Sequence, residues 1–404
     1  MNTINPNYIT GNSIKSSDYS DETKVDNDNL KISTVSGKIH IDNNWTDAKS
    51  TGICTGNGTY SEPYVIKDLV IDGEGSGSCI LIENSDVYFI ITDCIVNNSG
   101  SSPNAGIRLE YVKNGKLFEN IHSYNNTDGI RLIHCYNITI AGNRVENNNW
   151  GIILGLSNNN TISKNVINDN EIDGIYLSQT CNNNTISNNT IINNNQQGID
   201  ISVSSNENMI LGNIVKNNEI GIEIWKSKNN YISENNVESN NWTGILIMSS
   251  DSNNITKNKA KNNKIGINLW ESINNTVSEN IIYNNSAFGY FIGEANCTNN
   301  LMYNNFFNNT RNAYDSGLNN TWDNGRIGNY WDDYTGEDTN DDGIGDTPYD
   351  IAGNASSQDN FPLMKWPFLM EEEEVAEIQG YNLFLLLGIL SVVVIFLSKK
   401  VKKY

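Results

Sequence analysis

The sequence predicts an all-β solenoid built from coils of 22 to 24 residues and followed by one C-terminal transmembrane helix. Three observations carry this reading. Nine glycines, Gly106, Gly129, Gly151, Gly174, Gly198, Gly221, Gly244, Gly266 and Gly289, recur every 22 to 24 residues, each opening a segment of the form Gly, apolar, any, apolar. Asparagines keep the same period at Asn120, Asn143, Asn165, Asn189, Asn213, Asn235, Asn258, Asn280 and Asn304, and a further cluster of asparagines precedes each glycine. Near the C-terminus, residues 380–398 run for 19 residues without a charge.

The glycine segments read GIRL, GIRL, GIIL, GIYL, GIDI, GIEI, GILI, GINL and GYFI, which is the two-residue alternation of a half-buried strand. Short strands joined by Asn/Gly turns, with no helical stretch, describe one coil of a solenoid. A leucine-rich repeat of this length would need a Leu-rich consensus and a helical turn per repeat, and neither is present. One coil cannot bury its own apolar side chains. Stacking at about 4.8 Å pairs each strand with its copies above and below and encloses a narrow prism of Ile, Leu and Val. Asparagine suits fixed turn positions because it tolerates left-handed backbone and its amide can bond to the same amide one coil away.

The chain divides accordingly. Residues 1–37 read as a disordered acidic segment and 38–105 as an N-terminal cap with the first irregular coils. Residues 106–312 are the regular coils, 313–366 a C-terminal cap with an Asp-rich loop, and 367–379 an acidic linker. Residues 380–398 form the membrane span and 399–404 a basic tail. Lys399, Lys400, Lys402 and Lys403 directly after the span, with Glu371 to Glu374 before it, orient the lysines to the cytoplasm and the solenoid outside, on a single-pass cell-membrane protein. Met1 to Leu30 shows neither a basic start nor an apolar stretch, so the export signal is expected upstream of this start; a tail anchor with the solenoid inside is the alternative. Sixteen Asn-X-Ser/Thr triplets, among them Asn137, Asn159 and Asn183, fit an exterior, glycosylated domain.

A formal charge of −21, with 26 Lys and Arg scattered through the repeats, argues against a nucleic-acid partner. The six cysteines form no CxxC pair, and His40, His122 and His134 are not grouped, so a structural zinc or copper centre lacks its ligands. Cys54 and Cys79 flank the start of the solenoid and are the best candidates for a disulfide, with small core residues as the alternative reading. In the segment GNYWDDYTGEDTNDDGIGDTPYDI, Asp338, Asn340, Asp342 and Asp346 stand at positions 1, 3, 5 and 9 of a loop with Gly343 at position 6 and the Ile344 carbonyl at 7. That spacing lets short oxygen ligands curl around Ca²⁺. Tyr349 at position 12 replaces the bidentate glutamate of an EF-hand, so Asp350 or another carboxylate would have to complete the shell. No organic cofactor is expected.

The GIxL coils with NNTIS-like turns, the opening TGNGTYSEPYVIKDLVIDGEGSGSCILIEN, and the Asp-rich segment followed by DNFPLM together resemble the NosD-type repeats of archaeal surface proteins, over residues 38 to about 366. The resemblance implies a single-stranded right-handed parallel β-helix. The tail YNLFLLLGILSVVVIFLSKKVKKY similarly resembles the C-terminal sorting and anchoring segments of such proteins. The copper-delivery role linked to the founding NosD proteins is not carried over, because the copper-ligand residues are thin here.

If the second and fourth residues of each coil point inward, the third and fifth stack outward along one sheet. One outward column runs Arg108, Arg131, Ile153, Tyr176, Asp200, Glu223, Leu246, Asn268, Phe291, and beside it stand Trp225 and Trp270, two coils or about 9.6 Å apart. Tyr176, Trp225, Trp270 and Phe291 are the candidate ligand-binding residues, with aromatic faces for sugar rings. Asp200 and Glu223 occupy equivalent places in adjacent coils, within about 5 Å, a separation compatible with paired-carboxylate glycoside chemistry. The residue sets of pectin hydrolases and pectate lyases are absent, as is the Asp-Pro-His arrangement of epimerases, and no long inserted loop builds a groove. The expected function is a surface-displayed structural or adhesive module with polysaccharide or cell-surface proteins as partners. A glycan lyase or hydrolase using Asp200 and Glu223 is the alternative.

Overall fold

The computed structural model describes residues 34–119 and 122–366, and for His122 the backbone alone. The expected linker, span and basic tail, and all but four residues of the N-terminal segment, lie outside the described residues. Among the described residues no helix is long and apolar enough to cross a membrane.

Three parallel sheets run the length of a right-handed β-helix, with 13, 12 and 11 strands and every neighbour one coil away in sequence. In chain order each coil contributes one strand to sheet A, one to sheet B and one to sheet C. Sheet B holds the GIxL segments, such as Gln197–Ser202 and Ile220–Trp225. The coils begin before the first repeat glycine: Thr34–Ser36, Ile39–Asp42 and Tyr64–Lys67 already occupy the three sheets. Helix Trp45–Ser50 covers that end, with the Trp45 ring stacked on Tyr64 at 4.9 Å. A two-stranded antiparallel ribbon, Tyr349–Asp350 with Gln358–Asp359, belongs to the opposite cap.

The core is the predicted prism. Ile152, Ile175, Ile199 and Ile222 stack in one inward column of sheet B, and Ile162, Ile186 and Ile210 face them from sheet C; all are fully buried. The repeat glycines are required by close approach rather than by a left-handed backbone. A Cβ on Gly221 would sit 2.5 Å from the Gly244 carbonyl oxygen and 2.3 Å from a methyl of Val237, and the equivalent carbonyl lies within 2.8 Å at Gly129, Gly151, Gly174 and Gly198.

Three asparagine ladders hold the corners. In the first, which starts at Asn143, Asn165, Asn189, Asn213, Asn235, Asn258, Asn280, Asn305 and Asn329 each accept, through Oδ1, the backbone N–H and side-chain amide of the asparagine one coil before, and Asn120 lies outside the described residues. A second runs from Asn160 to Asn320 and a third from Asn126 to Asn309. The sequence assigned left-handed backbone and amide stacking to the same residue; the structure divides them between neighbours. Positive φ falls on Gly142, Lys164, Asn188, Gly212, Glu234, Lys257, Glu279 and Asn304, each directly before a ladder asparagine. The ladder member at the end of the predicted register is therefore Asn305, and Asn304 is its left-handed predecessor. Two of the ladders end on carboxylates, Asp359 accepting from Asn329 and Asp315 from Asn320, and the third ends on the Asn312 amide oxygen, which accepts from Asn309.

The expected Cys54–Cys79 disulfide does not form. All six cysteines are buried free thiols. Cys54 Sγ faces the Trp45 carbonyl and Cys79 Sγ the Asn97 carbonyl, so both serve as small core residues. Burial pushes the Cys79 and Cys135 thiols up to about 12, which keeps them protonated and unreactive.

Candidate functional site

The outward column is laid out in the expected register: Arg108, Arg131, Ile153, Tyr176, Asp200, Glu223, Leu246, Asn268 and Phe291 pair one to the next across sheet B. Trp225, Met248 and Trp270 pair beside it, so the two tryptophans are indeed two coils apart. The residues before four of the glycines, Asp128, Trp150, Asp173 and Gln197, form an extra column on this outward face although strict alternation would turn them inward: Asp128 bonds Arg131, Trp150 packs on Tyr176, and Gln197 donates to Glu223. The glycine itself turns toward the core, where a Cβ on Gly129 would meet a Val145 methyl at 2.4 Å, so the glycine and the isoleucine after it both face inward and the alternation skips a step there.

That extra column completes an acidic cluster. Asp173, Asp200 and Glu223 come from three successive coils, and each is buried to 9 % exposure or less. Asp173 accepts the Gln197 backbone N–H at 2.9 Å, the Gln197 amide donates to Glu223 Oε2, and the Ser202 hydroxyl donates to Asp200. No cation pairs with any of the three among the described residues; the two arginines on this face are engaged by Glu110 and by Asp128. Burial pushes the Asp173 carboxyl up to about 7, helped by the charge of Glu223 and opposed by the Gln197 N–H. Burial, with Glu223 and Asp173 adding, holds Asp200 well above the ordinary carboxylate range, and Glu223 is raised for the same first reason. With its carboxyl raised to about 7, Asp173 is partly protonated near neutral pH and can donate as well as accept a hydrogen bond.

Aromatic rings flank the acids. Trp150 packs on Tyr176 with centroids 5.0 Å apart, and Lys226 holds its ammonium 4.6 Å over the Trp225 ring. Of the four aromatic residues singled out by sequence, Tyr176 and Trp225 border the cluster and Trp270 lies two coils on. Phe291 belongs to a separate group, 5.3 Å from Tyr314 and 4.9 Å from Phe288. Asp173, Gln197 and Trp150 were missed because strict alternation turns the residue before each glycine inward.

In the Asp-rich loop, Asp338 accepts the N–H groups of Asp342 and Gly343, Asp342 that of Ile344, and Asp346 the N–H and hydroxyl of Thr339. Asn340 donates to Asp342 at 3.0 Å. Among the described residues no three His, Cys, Asp or Glu side chains converge as metal ligands.

The right handed beta helix region family matches residues 78–237, and the periplasmic copper-binding protein (NosD) family matches residues 203–336. No curated protein is significantly similar in sequence. Among solved structures, the A-module of the Azotobacter vinelandii mannuronan C-5 epimerase AlgE6 is similar at 15 % identity and a TM-score of 0.51, over 70 % of this chain and 92 % of that one. A mutant of the periplasmic alginate epimerase AlgG gives 16 % identity and 0.51, over 71 % and 83 %. At such identities the likeness is one of fold. Together with the coil geometry, the two sequence matches support a β-helix of NosD type.

Proposed function

We propose that the outward face of sheet B binds polysaccharide, on a module displayed at the cell surface by a C-terminal anchor. The observation that carries the reading is the cluster of Asp173, Asp200 and Glu223, unpaired with any cation among the described residues and bordered by Tyr176 and Trp225. Buried acids beside aromatic rings offer a sugar both directional polar contacts and an apolar surface. The structural neighbours named as epimerases of mannuronan and alginate support a polysaccharide as the ligand class. Binding of glycans to immobilised full-length protein tests this: Trp225→Ala and Asp200→Asn should each weaken saturable binding at least tenfold, and unchanged binding in both sinks the reading.

A second reading, a glycan lyase or hydrolase, is favoured by one observation, the adjacent coils that carry Asp200 and Glu223 with pKa values raised by burial. It predicts chain cleavage that Asp200→Asn abolishes; binding without new reducing or unsaturated ends rejects it. The anchor and orientation predict that the protein partitions with membranes and that external protease removes the coils from intact cells. Calcium is proposed for the loop holding Asp338, Asn340, Asp342, the Ile344 carbonyl and Asp346, on the strength of its ligand spacing. A rise in melting temperature with calcium, lost in Asp342→Ala, is the expected result.

A further inference from the structure

A cleft of about 540 Å³ opens on sheet C, a different face of the prism from the acidic cluster. Its floor is the outward side chain of Ile90, paired with Lys116 across sheet C, while the Phe89 ring is buried on the core side, where Gly115 makes room for it: a Cβ there would lie 2.3 Å from Phe89 Cζ. Tyr60 and Tyr88 form one wall, edge to face at 5.4 Å and 83°. Asn114, Lys116, Asn137 and Thr139 line the opposite side.

Tyr60 is 80 % exposed, yet its loop is tied down on both sides. Asn57 accepts the N–H and hydroxyl of Thr59 and donates to Glu62, the Glu62 N–H bonds Thr59, and the Tyr88 N–H bonds the Gly58 carbonyl at 3.0 Å. A preorganised loop of this kind presents the ring without the ordering cost of a mobile one. Across the cleft, the Asn137 amide donates to Asn114 Oδ1, and the Asn114 amide to the Asp86 carbonyl, which fixes both amides in place.

We infer that this cleft is a second carbohydrate site, taking an uncharged hexopyranose chain with a ring face on Tyr60 and its hydroxyls on Asn114, Asn137, Thr139 and Lys116. The volume lies within the range of small-ligand pockets, about 300–1,000 Å³. A phosphorylated ligand is disfavoured, because Lys116 is the one cation in the lining of a chain carrying −21. The inference rests on the glycan reading above and extends it: two sites on different faces would let one rod bridge two chains, gaining avidity without a larger site.

The test is calorimetric titration of the protein with maltohexaose, cellohexaose and mannohexaose. Expression in a bacterial host lacking N-glycosylation leaves Asn137 unmodified, so any sugar in the cleft is a free ligand. Tyr60→Ala and, independently, Asn137→Leu should each weaken one binding step at least tenfold while leaving the melting temperature within a degree or two. Trp225→Ala should leave that step intact. Binding unchanged in both cleft variants overturns the inference, as does absence of any binding at millimolar sugar. Loss confined to Trp225→Ala overturns the cleft and keeps the sheet B reading; loss confined to the cleft variants does the opposite.

Discussion

Asn213→Ala isolates what the amide ladders contribute. The side chain is fully buried and makes four bonds: Oδ1 accepts the Asn189 backbone N–H and amide at 3.0 Å each, and the amide donates to the Ile186 carbonyl and to Asn235 Oδ1 at 2.9 Å each. Truncation strands the Asn189 backbone N–H, a loss of about 1–3 kcal/mol, and removes one of several partners from three other groups at about 0.5–1.5 kcal/mol each. The expected destabilisation is therefore about 2.5–7.5 kcal/mol. A one-carbon deletion in the adjacent core, Ile210→Val, should cost only about 0.5–1.5 kcal/mol. Urea unfolding followed by circular dichroism measures both, and hydrogen exchange should locate the damage in the coils on either side of residue 213, since each coil of a solenoid contacts only its neighbours. If Asn213→Ala costs no more than Ile210→Val, the ladder is decoration and apolar burial alone holds the coils.

Three other outcomes follow from the same geometry. Gly221→Ala should destabilise by about 3 kcal/mol or more in the same urea assay, because its Cβ would meet a backbone carbonyl at 2.5 Å that can move only by spreading two coils. Asp173 is ordinarily about 3.8 but is raised to about 7 when folded, so the stability it adds is full below pH 4 and is lost as pH rises through 7; at about 1.4 kcal/mol per unit the swing is about 4 kcal/mol at most. Asp173→Asn should accordingly raise the melting temperature relative to the parent at pH 8 and not at pH 4. A thiol reagent should count no reactive cysteine in the native protein and six after denaturation, and a lower count in denaturant would reveal a disulfide.

The fold was legible because the constraints on it repeat. A carbonyl that excludes a Cβ beside every repeat glycine, and a core that takes Ile, Leu or Val at most inward positions, print themselves into the chain nine times in the same phase. What one position alone decides was harder to read. The shift from Asn304 to Asn305 follows from which of two adjacent asparagines takes the left-handed turn, and both residues are chemically able to. Cys54 and Cys79 pair plausibly by order along the chain, whereas their Sγ atoms face different carbonyls. Asp173 escaped notice because strict alternation turns the residue before each glycine inward, whereas the glycine and the isoleucine after it both face the core and leave Asp173 on the outer face.

The acidic cluster is best understood against that repetition. Inward positions of sheet B vary little from coil to coil, because a wrong volume there is felt at once. Outward positions are released from that demand, and ordinary surface chemistry would fill them with exposed polar residues or with pairs such as Arg144–Glu146 and Lys216–Glu238, both seen on sheet A. Three successive coils instead bury Asp173, Asp200 and Glu223 against one another. Raised pKa values mean that ionising the cluster works against the fold. A residue set that works against stability when ionised, and that faces outward, is where a ligand offering hydroxyl groups would supply further hydrogen-bond partners. Stability of the parent should then rise on glycan binding more steeply at pH 8 than at pH 4, and an equal rise at both would separate the acids from the binding site.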